Sequence, residues 1–526
     1  MNGIQLIRKA REHGRAPALL SDGATYSYED LLGASARVAE ALLGGNSDLE
    51  EARIAYLSPG GFEYVAVQWG VWRAGGIAVP LSVSAREPEL EHVFTDADIG
   101  TALVTDAHRP RLEGLARRLG FELRSVEGLL AETRDDPARE TAEAGAAGDL
   151  DPAGGSPPPE GTRSLPAITP QRRAMMLYTS GTTSKPKGVV STHANIEAQI
   201  RSLVEAWAWR SDDRIPLFLP LHHIHGIVNV LSCALWSGAF VETFQAFDMD
   251  RILDRVAEKA YTVFMAVPTI YVKLIRAFEE ADPGDRERWA EGFRSMRLMI
   301  SGSAALPAAI HETWTGLTGQ KLLERYGMTE IGMGLSNPLH GERRPGAVGQ
   351  PLPRVDLRLV SEIGEVILGE GEPGEIQVRG PAVFREYWRR PEVTAASFVD
   401  GWFRTGDMAV LEDGYYRILG RLSVDIIKSG GFKLSALEIE DALREHPAIR
   451  EVAVVGVEDE VWGEAVAAAV VPVEGVQIDL ESLQGWAGDR LSKYKIPRRL
   501  VVVEDFPRNA MGKVMKPAVK GLFSDG

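Results

Sequence analysis

Cysteine is almost missing from this sequence: Cys233 stands alone among 526 residues. One thiol cannot close an internal disulfide, and a Cys-based metal cluster is excluded as well. Cys233 lies in an apolar run and is expected in the core. Basic charge is in deficit. Lys and Arg number 58 against 74 Asp and Glu, a net charge of −16. That balance argues against nucleic acid or an anionic membrane as the main partner. Any site for an anion must therefore be basic locally, against an acidic background. Long apolar runs are absent too. The most apolar stretch, Ile224 to Val241, is interrupted by His225, Asn229, Ser232 and Ser237, so it reads as a buried helix and not as a membrane span. The opening, Met1 to Arg15, mixes charges without the apolar segment of a targeting peptide, and a cytoplasmic enzyme is expected. No internal repeat is visible, and nothing implies an obligatory protein partner.

What remains is an ordinary globular composition, 44% apolar and 25% charged, in a chain long enough for more than one domain. The first half alternates strand-like and helix-like runs. Arg53 to Leu57, Gly76 to Pro80 and Thr101 to Thr105 read as strands, and Phe62 to Ala74 has helical periodicity. This rhythm predicts an α/β domain with a mainly parallel sheet. Residues 131–164 change character. They are rich in Ala, Gly, Pro and acid, with Gly154-Gly-Ser-Pro-Pro-Pro159 inside, and read as a flexible, solvated loop. Tyr261 to Val267 and Arg297 to Ile300 are further strands, with a helix from Thr269 to Phe278 between them. From Val355 the pattern turns β-rich, which suggests a small barrel or sandwich. A compact α+β tail follows, in which Ser435-Ala-Leu-Glu438 forms a capping box that opens a helix. The expected boundary lies at Gly420–Ser423, giving residues 1–420 and 421–526.

One stretch concentrates chemistry. Tyr178-Thr-Ser-Gly-Thr-Thr-Ser-Lys-Pro-Lys-Gly188 packs hydroxyls, two glycines and two lysines between apolar runs. Glycine lets backbone approach a ligand closely, exposed N–H groups and hydroxyls donate hydrogen bonds, and lysine adds charge, so such a loop can wrap polyphosphate. It is not a Walker loop, because Val189 follows Gly188 where Lys and Ser/Thr would be required. Other stretches stand out in order along the chain. They are Pro220-Leu-His-His-Ile-His-Gly226, Ser301-Gly-Ser-Ala-Ala-Leu-Pro307, Tyr326-Gly-Met-Thr-Glu330, Gly401-Trp-Phe-Arg-Thr-Gly-Asp407, Gly420-Arg421, Gly430-Gly431 and Pro507-Arg-Asn-Ala-Met-Gly-Lys513. Together these stretches resemble the signature set of the adenylate-forming superfamily: acyl-CoA synthetases, luciferases and peptide-synthetase adenylation domains.

The resemblance implies two half-reactions. A substrate carboxylate attacks the α-phosphate of ATP and releases pyrophosphate, and the thiol of coenzyme A then displaces AMP. The substrate is its own nucleophile, so the protein must supply positioning and charge neutralisation. By the same resemblance Thr179, Ser180, Gly181, Thr182, Thr183 and Lys187 hold the β- and γ-phosphates. Thr329 touches the α-phosphate, and Glu330 binds a Mg²⁺ that bridges phosphates; an isolated Glu330 would read equally well as a helix-start glutamate. Ser303 and Ala304 edge the adenine, and Tyr326 offers it a ring face within Glu324-Arg325-Tyr326-Gly327. Asp407 accepts the ribose hydroxyls, with Arg421 beside it. Lys513 is the lysine of the adenylation step. Lys428, Gly430, Gly431 and Lys433 form the turn that borders the pantetheine tunnel once a mobile C-terminal domain has rotated. The family usually has Asp or Lys where this chain has Ser423, and the segment from Arg421 to Gly430 is slightly longer than its commonest form.

Within the superfamily the sequence looks most like the malonyl-CoA synthetases, in the branch related to the mitochondrial malonate- and methylmalonate-activating enzyme. The residues that carry this are Phe264-Met-Ala-Val-Pro-Thr-Ile-Tyr271, Leu323-Glu-Arg-Tyr-Gly-Met-Thr-Glu-Ile-Gly-Met333 and Asp425-Ile-Ile-Lys-Ser-Gly-Gly431. A short dicarboxylate needs a small pocket with a cation at its closed end, because a second carboxylate buried without a partner is costly. Lys273 is the expected cation, with Ser303, His223 and Met328 lining the pocket and Arg297 as the alternative charge. His222, His223 and His225 have no matched carboxylate or thiol and read as pocket wall, not as a metal site. Three other readings stay open: a short- or medium-chain fatty acyl-CoA synthetase, an adenylation module that loads a carrier protein, and a catalytically silent nucleotide-binding regulator.

Overall fold

The alternating apolar runs of the first half assemble into a seven-stranded sheet. The computed structural model describes residues 3–131, 165–179, 186–430, 432–508 and 514–523. Its strands run in the order Glu386–Tyr387, Lys187–Thr192, Arg173–Thr179, Ile77–Pro80, Arg53–Leu57, Thr101–Val104, Glu122–Ser125. The pairs from Arg173–Thr179 through Glu122–Ser125 are parallel, and the two pairs at the Lys187–Thr192 side are antiparallel. Helices cross over its central strands, as parallel pairing requires. The helix Phe62–Arg73 is buried almost all round, with Trp69 and Trp72 each 1% exposed, so it is a core element without a polar face. The stretch 132–164, read above as a loop, lies outside the described residues.

A second sheet follows the same logic. Val263–Ala266, Leu298–Ser301 and Leu323–Met328 run parallel, and Gly332–Ser336 and Gln350–Pro351 close it antiparallel. A third, of four strands, joins Pro17–Ser21 to Phe240–Thr243. The apolar stretch after Ile224 is helical, but not as a plain α-helix. Residues His225–Ser232 form a π-helix that passes into the α-helix Cys233–Ser237. The Ser232 hydroxyl donates to Ile227 O at 2.7 Å inside that wide turn. Such turns concentrate at functional sites, and apolar periodicity alone does not distinguish them from an α-helix. Cys233 is buried, as its surroundings required.

The β-rich stretch forms a six-stranded antiparallel sheet around Asp356–Val360, Gly374–Arg379 and Trp402–Glu412, with Tyr415–Arg421 on Trp402–Glu412. One short strand of this region, Glu386–Tyr387, leaves it and joins the seven-stranded sheet. After Arg421 the tail builds its own sheet from Ile426–Ser429, Phe432–Ser435, Ile449–Asp459, Gly463–Pro472 and Arg499–Val502. The helix Ala436–Arg444 packs on it. Ser435 caps that helix by accepting from the Glu438 N–H at 3.2 Å. The Glu438 carboxylate does not reach back as a full capping box would; it pairs with Lys495. No helix among the described residues is long and apolar enough to cross a membrane.

Candidate active site

Two strand ends and the turn after the second define the centre. The strand Leu298–Ser301 stops where Gly302 and Ser303 begin, and the neighbouring parallel strand Leu323–Met328 runs into the turn Thr329-Glu330. In α/β sheets such carboxyl ends are where ligands bind. Ser303 adopts a positive φ of 72°, an unfavourable conformation for a residue with a side chain. Its hydroxyl lies 3.1 Å from His225 Nδ1, which joins the π-helix to this strand end.

Glu324 and Arg325 are both 4% exposed. The Arg325 guanidinium occupies the space where any residue but glycine at 302 would put its side chain: a Cβ on Gly302 would lie 2.4 Å from Arg325 Cζ. Arg325 Nε and Nη2 are buried without a hydrogen-bond partner among the described residues. Burial pushes the guanidinium down to about 10. Burial likewise pushes the Glu324 carboxyl up to about 8, although the Leu306 N–H donates to it at 3.1 Å. His225 is held well below the ordinary histidine range by burial and by the Arg325 charge, and its Nε2 is also buried without a hydrogen-bond partner among the described residues. A neutral imidazole and a desolvated cation thus face the same buried space. The His222 and His223 rings are tilted 51° to each other with centroids 4.1 Å apart, and burial lowers His222 to about 4.

The nucleotide side has its own geometry. Asp407, 5% exposed, lies inside the strand Trp402–Glu412. It accepts from Tyr326 Oη at 2.5 Å and from Arg421 Nε at 3.2 Å. Burial raises its carboxyl, with Arg421 opposing. Glu330 sits in the turn and not at a helix start; it accepts from Tyr387 Oη at 2.9 Å, and burial raises its carboxyl as well. Lys187 Nζ stands 4.9 Å from the centre of the Tyr387 ring. Thr179 pairs with Lys187 across the two strands that enter and leave the phosphate-binding stretch. Gly327 is obligatory, since a Cβ there would meet Gly332 O at 2.2 Å. Ala304 is exposed, and Thr329 and Met328 are half-buried along the same edge.

The remaining expected residues divide. Ser180, Gly181, Thr182, Thr183, Gly431 and Lys513 lie outside the described residues, as does the side chain of Lys433. Lys428 is exposed, with Nζ 4.0 Å from Glu362, and Gly430 turns at φ 57° against Trp462. Lys273 lies on the exposed side of the helix Pro268–Glu280, whose buried face is Pro268, Ile270, Tyr271, Leu274, Ile275 and Phe278. An apolar sequence context therefore did not make Lys273 a desolvated cation; helical periodicity turned it outward. Arg297 is committed elsewhere: it binds buried Asp213 through two nitrogens, with Nε–Oδ1 at 2.7 Å, and donates to Trp207 O at 2.9 Å. It leaves the acid pocket. Tyr387, His92 and Asp96 were missed. The strand Glu386–Tyr387 has two residues, too few for any periodicity, and His92 and Asp96 look like surface residues of a polar helix.

Glu330 offers a hard cation a buried carboxylate oxygen, and the fields of Lys187 and Arg421 favour the ionised form that would bind it. No group of three or more His, Cys, Asp or Glu among the described residues could hold a metal by itself.

Comparison with known proteins agrees with this geometry. Residues 6–388 match the AMP-binding enzyme family, and residues 438–513 match the AMP-binding enzyme C-terminal domain. The mitochondrial malonate–CoA ligase ACSF3 of Homo sapiens is 42% identical, over 98% of this chain and 91% of its own. The ATP-bound crystal structure of MatB from Rhodopseudomonas palustris superposes with a TM-score of 0.86 at 32% identity, covering 100% of this chain and 99% of that one. The apo form of the same protein, at the same identity and coverage, gives 0.76. From its phosphate-binding stretch to its C-terminal domain, this chain belongs to the AMP-binding enzyme family.

Proposed function

We propose that this protein is an AMP-forming acid–thiol ligase that activates malonate and transfers it to coenzyme A. The observation that carries the choice of acid is Arg325, a buried cation whose Nε and Nη2 have no hydrogen-bond partner among the described residues, set against Gly302 beside Ser303 and His225. A desolvated, unpaired guanidinium is costly to maintain. A second carboxylate arriving at the closed end of the acid pocket relieves that cost and accepts a bidentate fork. A monocarboxylic fatty acid offers nothing there. The human relative is a malonate–CoA ligase by name, which supports the same reading.

The nucleotide roles rest on the family's motifs, and for Asp407, Lys187 and Glu330 the contacts described above support them. Asp407 is held ready for the ribose hydroxyls by Tyr326 and Arg421. Lys187, with Ser180, Thr182 and Thr183, neutralises the β- and γ-phosphates. A magnesium ion held by Glu330 supplies charge stabilisation to those phosphates when bound. Lys513 neutralises the carboxylate and α-phosphate as they meet, which lowers their mutual repulsion during adenylate formation. The C-terminal domain, 421–526, then turns to bring Lys428, Gly430, Gly431 and Lys433 towards the incoming thiol. The compartment we assign is the cytoplasm, whereas the human relative is mitochondrial by name.

The test is a substrate panel on purified wild type, Arg325→Met and Lys273→Met, with pyrophosphate release and thioester formation measured for malonate, methylmalonate, butyrate and octanoate. Arg325→Met should cost malonate on the order of 3–5 kcal/mol in kcat/KM, because one partner of a buried pair is removed, and should spare butyrate. Lys273→Met should change malonate by about 1 kcal/mol or less, the range of an exposed charge. Wild type that prefers butyrate or octanoate would make it a fatty acyl-CoA synthetase. Adenylate formation without thioester on free CoA would make it a carrier-loading module. No pyrophosphate release with any acid would leave only a silent nucleotide binder.

A further inference from the structure

Tyr387 is 7% exposed and lies at the meeting point of three segments far apart in sequence. Its hydroxyl donates to Glu330 Oε1 at 2.9 Å. Its ring faces Lys187 Nζ at 4.9 Å. Its backbone pairs with Val189 on the strand that leaves the phosphate-binding stretch. The flanking residues repeat the stitching: Phe384 N–H donates to Glu330 O at 2.7 Å, and Trp388 N–H donates to Gly188 O at 2.8 Å. The ring itself is wedged by Phe384, with centroids 4.7 Å apart, and its N–H is taken by Thr394 Oγ1 at 3.0 Å. One side chain therefore fixes a carboxylate on one strand-end turn and an ammonium on the neighbouring sheet.

We propose that Tyr387 is a positioning residue that sets the Glu330 carboxylate and the Lys187 ammonium in register for a metal–nucleotide complex. The proposal rests on the nucleotide-binding half of the function above and is independent of which acid is activated. Glu330 has two oxygens. The hydroxyl occupies Oε1 and so fixes the plane of the carboxylate, leaving Oε2 as the oxygen to face the cation. The aromatic face attracts the Lys187 ammonium and keeps it from swinging onto Glu330, where it would cancel the charge the metal needs. A tyrosine does both; a phenylalanine does only the second, and a leucine does neither. That difference separates a positioning role from a packing role.

The experiment uses the full chain with ATP and Mn²⁺ as a probe for the magnesium site. Free Mn²⁺ is followed by electron paramagnetic resonance, and ATP binding without metal by calorimetry. Tyr387→Phe should weaken Mn²⁺ binding to the protein–ATP complex on the order of tenfold, the size of a lost hydrogen bond to a charged group, and leave metal-free ATP binding within about twofold. Tyr387→Leu should weaken both, metal-free ATP by several-fold as the cation–π contact is lost. In a Glu330→Gln background the phenylalanine variant should add little, since the two changes remove one interaction. Mn²⁺ binding unchanged in Tyr387→Phe overturns the proposal. So does an equal loss of both ligands in Tyr387→Phe with a lowered melting temperature, which would make the residue a packing element. Wild type that binds neither ATP nor Mn²⁺–ATP would instead remove the underlying reading of the nucleotide site.

Discussion

Glu324 carries a charge problem that a neighbouring cation does not solve. Its carboxyl is buried, receives one backbone N–H and feels the negative field of Asp441 from the helix Ala436–Arg444 as well as the positive field of Arg325. With its folded value raised from 4.5 to about 8, the native protein holds a proton that the unfolded chain has already lost between those values. Stability from this group is thus fully present below about pH 4.5 and is lost as pH rises towards about 8, by up to about 1.4 kcal/mol per pH unit while it titrates. Glu324→Gln, which imitates the protonated form, should unfold at a higher denaturant concentration than wild type at about pH 9 and at nearly the same one at about pH 5. Parallel curves across that range would refute the raised carboxyl. At this scale the sequence was read unevenly. Glu330 lies in a turn, Arg421 at a strand end and Asp407 inside a strand, and each stands in a short motif that can be read in the sequence without knowing its partners. The buried state of Arg325 was not legible, since it depends on the empty space over Gly302, contributed by a different strand.

At the scale of elements, the helix Glu87–Ala97 grips both ends of the phosphate-binding stretch. Asp96 accepts from Tyr178 Oη at 2.9 Å, at the first residue of the stretch, and His92 Nε2 donates to Pro186 O at 2.8 Å, near its end. The two residues are four apart, so one face of the helix presents both. Arg390 holds Asp96 from the far side at 2.6 Å. Asp96→Asn keeps the shape but weakens the hold on Tyr178 and leaves the His92 contact in place. It should raise KM for ATP by about five- to tenfold through one weakened charge-assisted bond, with KM for the acid within about twofold. Steady-state pyrophosphate release with each substrate varied in turn measures this. An equal rise for both substrates would mean that the helix stabilises the sheet and nothing more specific. Elements themselves were legible wherever burial was uniform or alternating: the strand Arg53–Leu57 falls on its expected bounds, and the helix Phe62–Arg73 within a residue of them. Elements defined by partners were not. The π-helix His225–Ser232 and the migrant strand Glu386–Tyr387 depend on hydrogen bonds that apolar periodicity does not record.

For the whole molecule, the joint between the two expected domains can be narrowed. Arg421 belongs to the larger body through Asp407, and Leu422 N–H still donates to Gly406 O at 2.9 Å. Asp425 belongs to the smaller body: Lys516 Nζ lies 2.6 Å from it and Ala436 N–H donates to its carbonyl at 2.8 Å. Only 422–424 remain between, and Ser423 is the exposed one. Two further hydrogen bonds bridge the joint, Arg421 N–H to Asp425 at 3.0 Å and the Ser435 hydroxyl to Leu419 O at 2.5 Å. If the domain turns between half-reactions, Ser423→Pro, which fixes φ, should hold it in one orientation. Adenylate formation should stay within about threefold while transfer to CoA slows at least about tenfold. Single-turnover assays of the two steps decide it, and equal behaviour of both would place the hinge elsewhere.

Lys516 also sits 2.7 Å from Glu440, which accepts the Val454 N–H at 2.8 Å. The final short helix Lys516–Gly521 thus returns to the start of the domain and fastens it, although 91 positions separate Asp425 from Lys516. A chain trimmed after Met515 would keep every residue assigned to the chemistry, Lys513 included, and would still leave two enclosed carboxylates facing each other without their shared cation. Proteolytic nicking at this tail, or a bulky tag fused too tightly behind it, would therefore unfasten the domain at its beginning.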